Sequence, residues 1–214
     1  PISVKMNSSD FQKGGFSPED SIRVAEILSN ERIDLLEISG GTYEHVSFLD
    51  ADEDIAINKK PKEERRQSTI AREAYFIEYA KDIKKVISVP LMVTGGFRTK
   101  GAMISALENN FCEVIGVARP LCSHPFSVQE LLDDKINQLP AYENILKLGK
   151  GWLSPSSRFN LVRAANFLAA QSWFYTQIKR MSDGKLPDLK IGSFSALIKE
   201  LKIDLNDFKN IKID

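Results

Sequence analysis

Two strand endings in this chain carry residues able to hold an anion. They read Leu91-Met92-Val93-Thr94-Gly95-Gly96-Phe97-Arg98 and Val114-Ile115-Gly116-Val117-Ala118-Arg119-Pro120. Each is a short apolar run that stops at small residues and then reaches an arginine. Glycine lets backbone N–H groups approach an anion with no Cβ in the way. A helix over Lys100 to Asn109 would aim its positive end at the same point. Arg119 could clamp the anion through two parallel hydrogen bonds. Two adjacent parallel strands ending this way describe a phosphate site at the carboxyl edge of a βα sheet. Taken singly, each feature also has a plainer reading: Gly95-Gly96 as a tight turn, Arg119 as a solvated side chain.

The elements that must position these residues follow a simple alternation. Ile2–Met6 reads as a strand, and Pro18–Leu28 as a helix with Ser17 as N-cap and Pro18 at its first position. Asp34–Ser39 is a second strand closed by Gly40-Gly41. A helix from about Glu63 to Lys85 follows, with Ala71, Ala74, Tyr75, Ile77 and Ala80 on its apolar face. Val89–Thr94 and Val114–Val117 are the third and fourth strands, and His124-Pro125 leads into a helix ending near Ile136. Strand–helix alternation implies parallel strands with helical crossovers, and short apolar strands imply that both sheet faces are covered. A doubly wound sheet would fit, but no Gly-x-Gly-x-x-Gly follows any strand. Four βα units with functional residues at the strands' C-terminal ends read as half of an eight-fold barrel, which typically needs about 250 residues.

From Leu139 onward the composition changes. A long helix over Arg158–Met181 carries Phe159, Val162, Phe167, Ala170, Trp173, Phe174 and Ile178. Ser193–Asp214 reads as one short amphipathic helix and a tail that frays. The chain thus divides into 1–138, the βα part, and 139–214, a helical extension. The Trp173-Phe174 face reads as core or interface rather than a cofactor box.

Composition narrows the function. Lys+Arg and Asp+Glu both total 29 in 214 residues, which gives no electrostatic case for nucleic acid or an anionic membrane. No apolar run approaches the ~20 residues needed to span a bilayer. The N-terminus lacks the basic, apolar, small-residue order of a signal peptide. Cys112 and Cys122 are too few for a disulfide framework and read as packed thiols in a reducing compartment, so a cytoplasmic location is expected. His45 reads as a solvated loop histidine and His124 as a turn element. Neither has a partner at metal-ligand spacing, and no metal is expected. The charged stretch from Asp50 to Arg66 reads as a solvated loop, with a lid or subunit contact as the alternative.

Further motifs join the two strand endings. Val4-Lys5-Met6-Asn7-Ser8-Ser9-Asp10-Phe11 is followed by Gly14-Gly15-Phe16-Ser17-Pro18-Glu19-Asp20, and Leu36-Glu37-Ile38-Ser39-Gly40-Gly41-Thr42-Tyr43-Glu44 by Arg72-Glu73-Ala74-Tyr75-Phe76. With the endings at Gly95-Gly96 and Ala118-Arg119, their order and spacing closely resemble the NADH:flavin oxidoreductase / Old Yellow Enzyme family. The resemblance spans roughly Val4 to Pro120 and corresponds to the last four βα units of that family's barrel. The helix-rich tail with Trp173-Phe174-Tyr175 is similar to the C-terminal extension of a subgroup.

The resemblance implies FMN across the barrel mouth, with NADH or NADPH as reductant and a small-molecule electron acceptor. It implies that Gly95 and Gly96 offer amides to the flavin phosphate and that Ala118 and Arg119 close the other side. Lys5 matches the basic residue facing the flavin's N1 and C2 carbonyl, where a fixed cation favours the reduced ring. Ser39-Gly40-Gly41 leaves room for flavin or substrate above the barrel, or is a packing turn. In that family the substrate-binding and proton-donating residues come mainly from earlier strands. No His-x-x-His or His-x-x-Asn strand end occurs here, so no catalytic residue is assigned.

The chain opens on Pro1 and enters a strand almost at once, which suggests a piece of something longer or a processed product. Four barrel strands alone leave two edges exposed. Either a missing N-terminal half or a second copy would complete the barrel, with Ile2–Met6 and Val114–Val117 meeting their mates. The competing functional reading is a catalytically silent phosphate- or nucleotide-binding half-barrel. A different phosphate-binding barrel enzyme without flavin is a third.

Overall fold

A computed structural model describes residues 1–8, 15–39 and 79–210. Four parallel strands form one sheet in sequence order: β1 (Ser3–Asn7), β2 (Leu35–Ser39), β3 (Leu91–Thr94) and β4 (Val114–Gly116). The register sets Lys5 beside Glu37, Glu37 beside Met92, and Met92 beside Val114. One pleat further on it aligns Asn7, Ser39, Thr94 and Gly116. The expected edges, β1 and β4, are the edges of this sheet.

Local chemistry places the helices. Helix α1 (Pro18–Asn30) starts where Ser17 and Asp20 cap each other, with the Asp20 amide 3.1 Å from Ser17 Oγ and the Ser17 amide 3.1 Å from Asp20 Oδ2. Helix α2 is described over 79–84, the end of the helix expected from about Glu63. Helix α3 (Lys100–Glu108) is capped by Thr99. The helix expected after His124-Pro125 is α5 (Ser127–Leu132), which ends short of Ile136, and an unexpected short helix, α4 (Arg119–Ser123), precedes it. They break at His124, which closes α4 and lies 2.8 Å from Glu130.

Because successive strand residues point to opposite faces, the sheet has two unlike sides. Leu36, Ile38, Leu91 and Val93 are buried in one cluster with Ala25 of α1, Ile83 of α2, and Met103 and Ala106 of α3. All three helices therefore cover the same face. The other face carries Lys5, Asn7, Glu37, Ser39, Met92 and Thr94, none of them fully buried. This corrects the expectation of strands apolar on both sides. The polar residues pair laterally: Lys5 Nζ lies 2.7 Å from Glu37 Oε1, and Ser39 Oγ lies 3.5 Å from Asn7 Oδ1.

The C-terminal part is more helical than expected. Helix α6 (Asn160–Ser182) is followed by α7 (Ser193–Asn210), an 18-residue helix where a short one was expected. Trp173 of α6 is fully buried, stacks on Tyr142 with ring centroids 5.3 Å apart, and donates from Nε1 to the Ile191 carbonyl at 2.9 Å. Gln177, also fully buried, exchanges two hydrogen bonds with the Asp188 backbone. Lys179 pairs with Glu200 of α7 at 2.8 Å. The aromatic face of α6 is thus core at Trp173, while Phe167 and Ile178 remain partly exposed. Among the described residues no helix is long and apolar enough to cross a membrane.

Cys112 sits in the core at the entry to β4 with 2% exposure. Burial, with the neighbouring Glu113 charge, pushes its thiol up to about 11 against a partial offset from Lys84. The unfolded thiol ionises near 9.0. Between those two values the unfolded chain has released a proton that the folded chain retains. Stability contributed by the neutral thiol is therefore present below pH 9 and is lost as pH rises toward 11. Denaturation midpoints of Cys112→Ala should fall less across that window than those of the parent. Parallel curves would show that the thiol does not control the alkaline limb.

Candidate functional site

The two strand endings converge as the parallel register requires. Beyond Thr94 the chain turns through Gly95 at φ +103° and Gly96 at φ +80°, backbone conformations that side chains rarely tolerate. A Cβ on Gly95 would meet nothing within 4 Å, so the turn borders open space. Gly116 is glycine for another reason: a Cβ there would lie 1.8 Å from Thr94 Oγ1. That close approach draws the end of β4 against the end of β3, and brings Ala118 and Arg119 to the same rim as Gly95-Gly96. Ala118 is the cap residue of α4, no side chain caps that helix, and Arg119 is its first residue.

Among the described residues nothing accepts a hydrogen bond from the Gly96 or Ala118 amide. Unpaired amides at a rim with room beside it suit an anion such as phosphate. Helix α3 contributes less than its position suggested. Its Lys100 amide donates to the Asn137 carbonyl at 3.0 Å, and its Ala102 amide to Thr99 Oγ1 at 3.4 Å.

The arginines are not equivalent. Arg98 is 12% exposed, donates from Nη1 to its neighbour's carbonyl on Phe97 at 2.8 Å, and places Nη2 2.5 Å from Glu143 Oε1. Arg119 is 58% exposed, with Nη1 4.0 Å from the same Glu143 oxygen. Glu143 was not singled out from sequence. It reaches the rim because the chain after α5 returns across the β3–α3 turn: the Leu139 amide donates to the Arg98 carbonyl at 2.8 Å, and Thr99 bridges Gln138. Leu139-Pro140 followed by an aromatic and an acid was the only available signal.

Lys5 lies on the polar face, one pleat back from the end of β1. Its partner Glu37 is 14% exposed. Burial would raise the Glu37 carboxyl, but the hydrogen bond from Lys5, the Thr94 hydroxyl beside it and the Lys5 charge together hold it below its ordinary value. Lys5 and Glu37 thus form a charged pair between β1 and β2. The structure therefore groups Gly95, Gly96, Ala118 and Arg119 at one rim and sets Lys5 on the polar side of the sheet. Gly40, Gly41, His45 and the stretch from Asp50 to Arg66 lie outside the described residues. No three His, Cys, Asp or Glu side chains converge as metal ligands would, among the described residues.

No family model matches the chain. It is 30% identical over 136 residues to the NADH-dependent flavin oxidoreductase nadA of Aspergillus parasiticus, covering 63% of this chain and 28% of that protein. It is 34% identical over 129 residues to the NADH-dependent flavin oxidoreductase iliE of Hypocrea jecorina, covering 58% of this chain and 29% of that protein. Among solved structures, a complex of 2-naphthoyl-CoA reductase with 2-naphthoyl-CoA aligns with TM-score 0.48 at 20% identity, over 65% of this chain and 19% of that one. The chain spans less than a third of the length of either curated relative. The resemblance carried by the motifs is matched by sequence relatives: this chain is similar to NADH-dependent flavin oxidoreductases.

Proposed function

We propose that this chain, similar to flavin oxidoreductases, is the cofactor-phosphate-holding C-terminal half of an FMN-dependent NAD(P)H oxidoreductase barrel. The observation that carries the reading is the one-sided sheet. Among the described residues, helices α1, α2 and α3 share one apolar cluster, as the outer ring of a barrel would, with the charged Lys5–Glu37 pair on the opposite face. A barrel interior accounts for such a face, whereas a doubly wound sheet would cover it with helices. Residues 1–138 form the half-barrel in this reading and 139–214 the extension. A second half, from the same protein or another copy, closes the edges at β1 and β4.

The residues suit the cofactor. Gly95, Gly96 and Ala118 offer amides to its phosphate, and Arg119, more than half exposed, is placed to clamp it. Lys5 supplies positive charge for the ring, and Glu37 holds that ammonium in place. When bound, FMN supplies hydride transfer between the nicotinamide and a small-molecule acceptor. The chain's own contribution is anchoring and charge; the groups that orient the acceptor and give it a proton belong to the other half.

An absorption spectrum tests this directly, since protein retaining FMN is yellow. Arg119→Ala should weaken FMN binding roughly 10- to 100-fold, the loss of a charge-assisted pair of hydrogen bonds. Lys5→Ala should leave binding nearly intact and make the bound flavin harder to reduce. A colourless protein that also fails to take up added FMN would sink the reading. Uptake of FMN without any effect from either substitution would refute the residue roles while leaving the cofactor.

A further inference from the structure

Glu143 is a carboxylate at an anion site, which calls for an explanation. It is 23% exposed and its Oε1 is shared between two guanidinium groups, 2.5 Å from Arg98 and 4.0 Å from Arg119. The two contacts differ in kind. Arg98 is nearly buried and, among the described residues, is held by Glu143 and by the Phe97 carbonyl, so it has little freedom to turn toward a ligand. Arg119 is mostly in solvent and touches the carboxylate only loosely. A phosphate dianion would attract that loose guanidinium more strongly than a single carboxylate already shared with Arg98.

Glu143 is also firmly placed. It belongs to the helical turn Tyr142–Asn144, and Tyr142 stacks on the fully buried Trp173, whose indole is anchored to the Ile191 carbonyl. The carboxylate therefore comes from the segment that packs against α6, and it is supplied to the rim of the sheet. We propose that Glu143 is the resident counter-anion of the phosphate cradle: it locks Arg98, parks Arg119, and is displaced from Arg119 when a phosphate monoester arrives. This rests on the phosphate reading of the Gly95-Gly96 and Arg119 rim. It adds that the extension sets how tightly the phosphate is held.

Removing the negative charge while keeping the side chain's shape should therefore do two opposite things. Glu143→Gln should melt at a lower temperature in phosphate-free buffer, because Arg98 loses a charged partner. It should also bind inorganic phosphate about five-fold more tightly at low salt, the size expected for one partly exposed charge. Thermal melts across a phosphate titration read both effects at once: a lower starting midpoint and a larger phosphate-dependent rise. FMN should show the same gain, and riboflavin, which lacks the phosphate, should show none. The gain should vanish when Arg119→Ala is added.

A Glu143→Gln protein that melts lower with an unchanged or weaker phosphate response would overturn the proposal, since a merely structural residue gives that result. So would a gain that survives loss of Arg119. If the parent and the variant both ignore phosphate and FMN, the cradle itself is refuted along with the role of Glu143. A parent that responds and a variant that responds equally refutes only the latter. Should Glu143→Gln fail to fold, Glu143→Asp keeps the charge for folding but shortens the reach to Arg119. It should still tighten phosphate, by less, and an unchanged affinity would count against the proposal.

Discussion

Replacing Trp173 with alanine should cost about 3–5 kcal/mol of unfolding free energy, the usual cost of emptying a fully buried aromatic site. The indole has no exposed surface, stacks on Tyr142 at an interplanar angle of 12°, meets Phe174 edge-on at 5.2 Å, and donates a hydrogen bond to Ile191. Alanine removes all four contributions and leaves the Ile191 carbonyl without its donor. Trp173→Phe restores most of the packing but not the hydrogen bond, and should recover more than half of the loss. Urea unfolding of the three proteins provides the measurement. A loss below about 1 kcal/mol would mean that the extension packs without this side chain.

A methyl group at position 116 should be nearly as damaging, at about 3 kcal/mol, by the opposite mechanism of overpacking. In Gly116→Ala the new Cβ would stand 1.8 Å from Thr94 Oγ1, 2.7 Å from Thr94 Cβ and 3.1 Å from Thr94 Cα. The hydroxyl can be removed, but the two carbons cannot, so the strands must part. Thr94→Ala in the same chain relieves the shortest contact only, and a double-mutant cycle should show rescue that is real but incomplete. In the proposed reading β3 and β4 carry the two halves of the phosphate cradle, and Gly116→Ala should then also weaken phosphate binding. Additive effects of the two substitutions would show that the strands already sit further apart than the register indicates.

The parallel order of the strands was legible because each strand ends abruptly in small residues and is followed by a helix. Ser17, Pro18 and Asp20 announced the start of α1, and the cap chemistry is local enough to be read residue by residue. What escaped was the side-chain pairing between residues distant along the chain. Lys5 and Glu37 are 32 residues apart and only the register makes them neighbours, so β1 and β2 looked apolar when half of their side chains face a polar surface. Glu143 was missed for the same reason, since its bond to Arg98 spans 45 residues. The length of α7 was underestimated because its Lys, Asp and Asn content resembles a fraying tail. Helix formation there draws on its packing against α6, through Lys179–Glu200 and the buried Ala196. The glycines were the best guides to the rim, though for two distinct reasons, left-handed backbone at Gly95 and Gly96 and strand contact at Gly116, which composition does not separate.

The Tyr142–Trp173 stack has a practical side. The chain has two tryptophans, and they sit at opposite extremes, one fully enclosed and the other, Trp152, 66% exposed. An enclosed indole against a phenol ring emits differently from one in water, and a dissolved quencher such as iodide reaches only the second. With Trp152→Phe as background, the remaining fluorescence comes from the ring that touches the neighbour of Glu143. The protein thus contains its own optical gauge of how the helical segment sits on the rim, with no label attached.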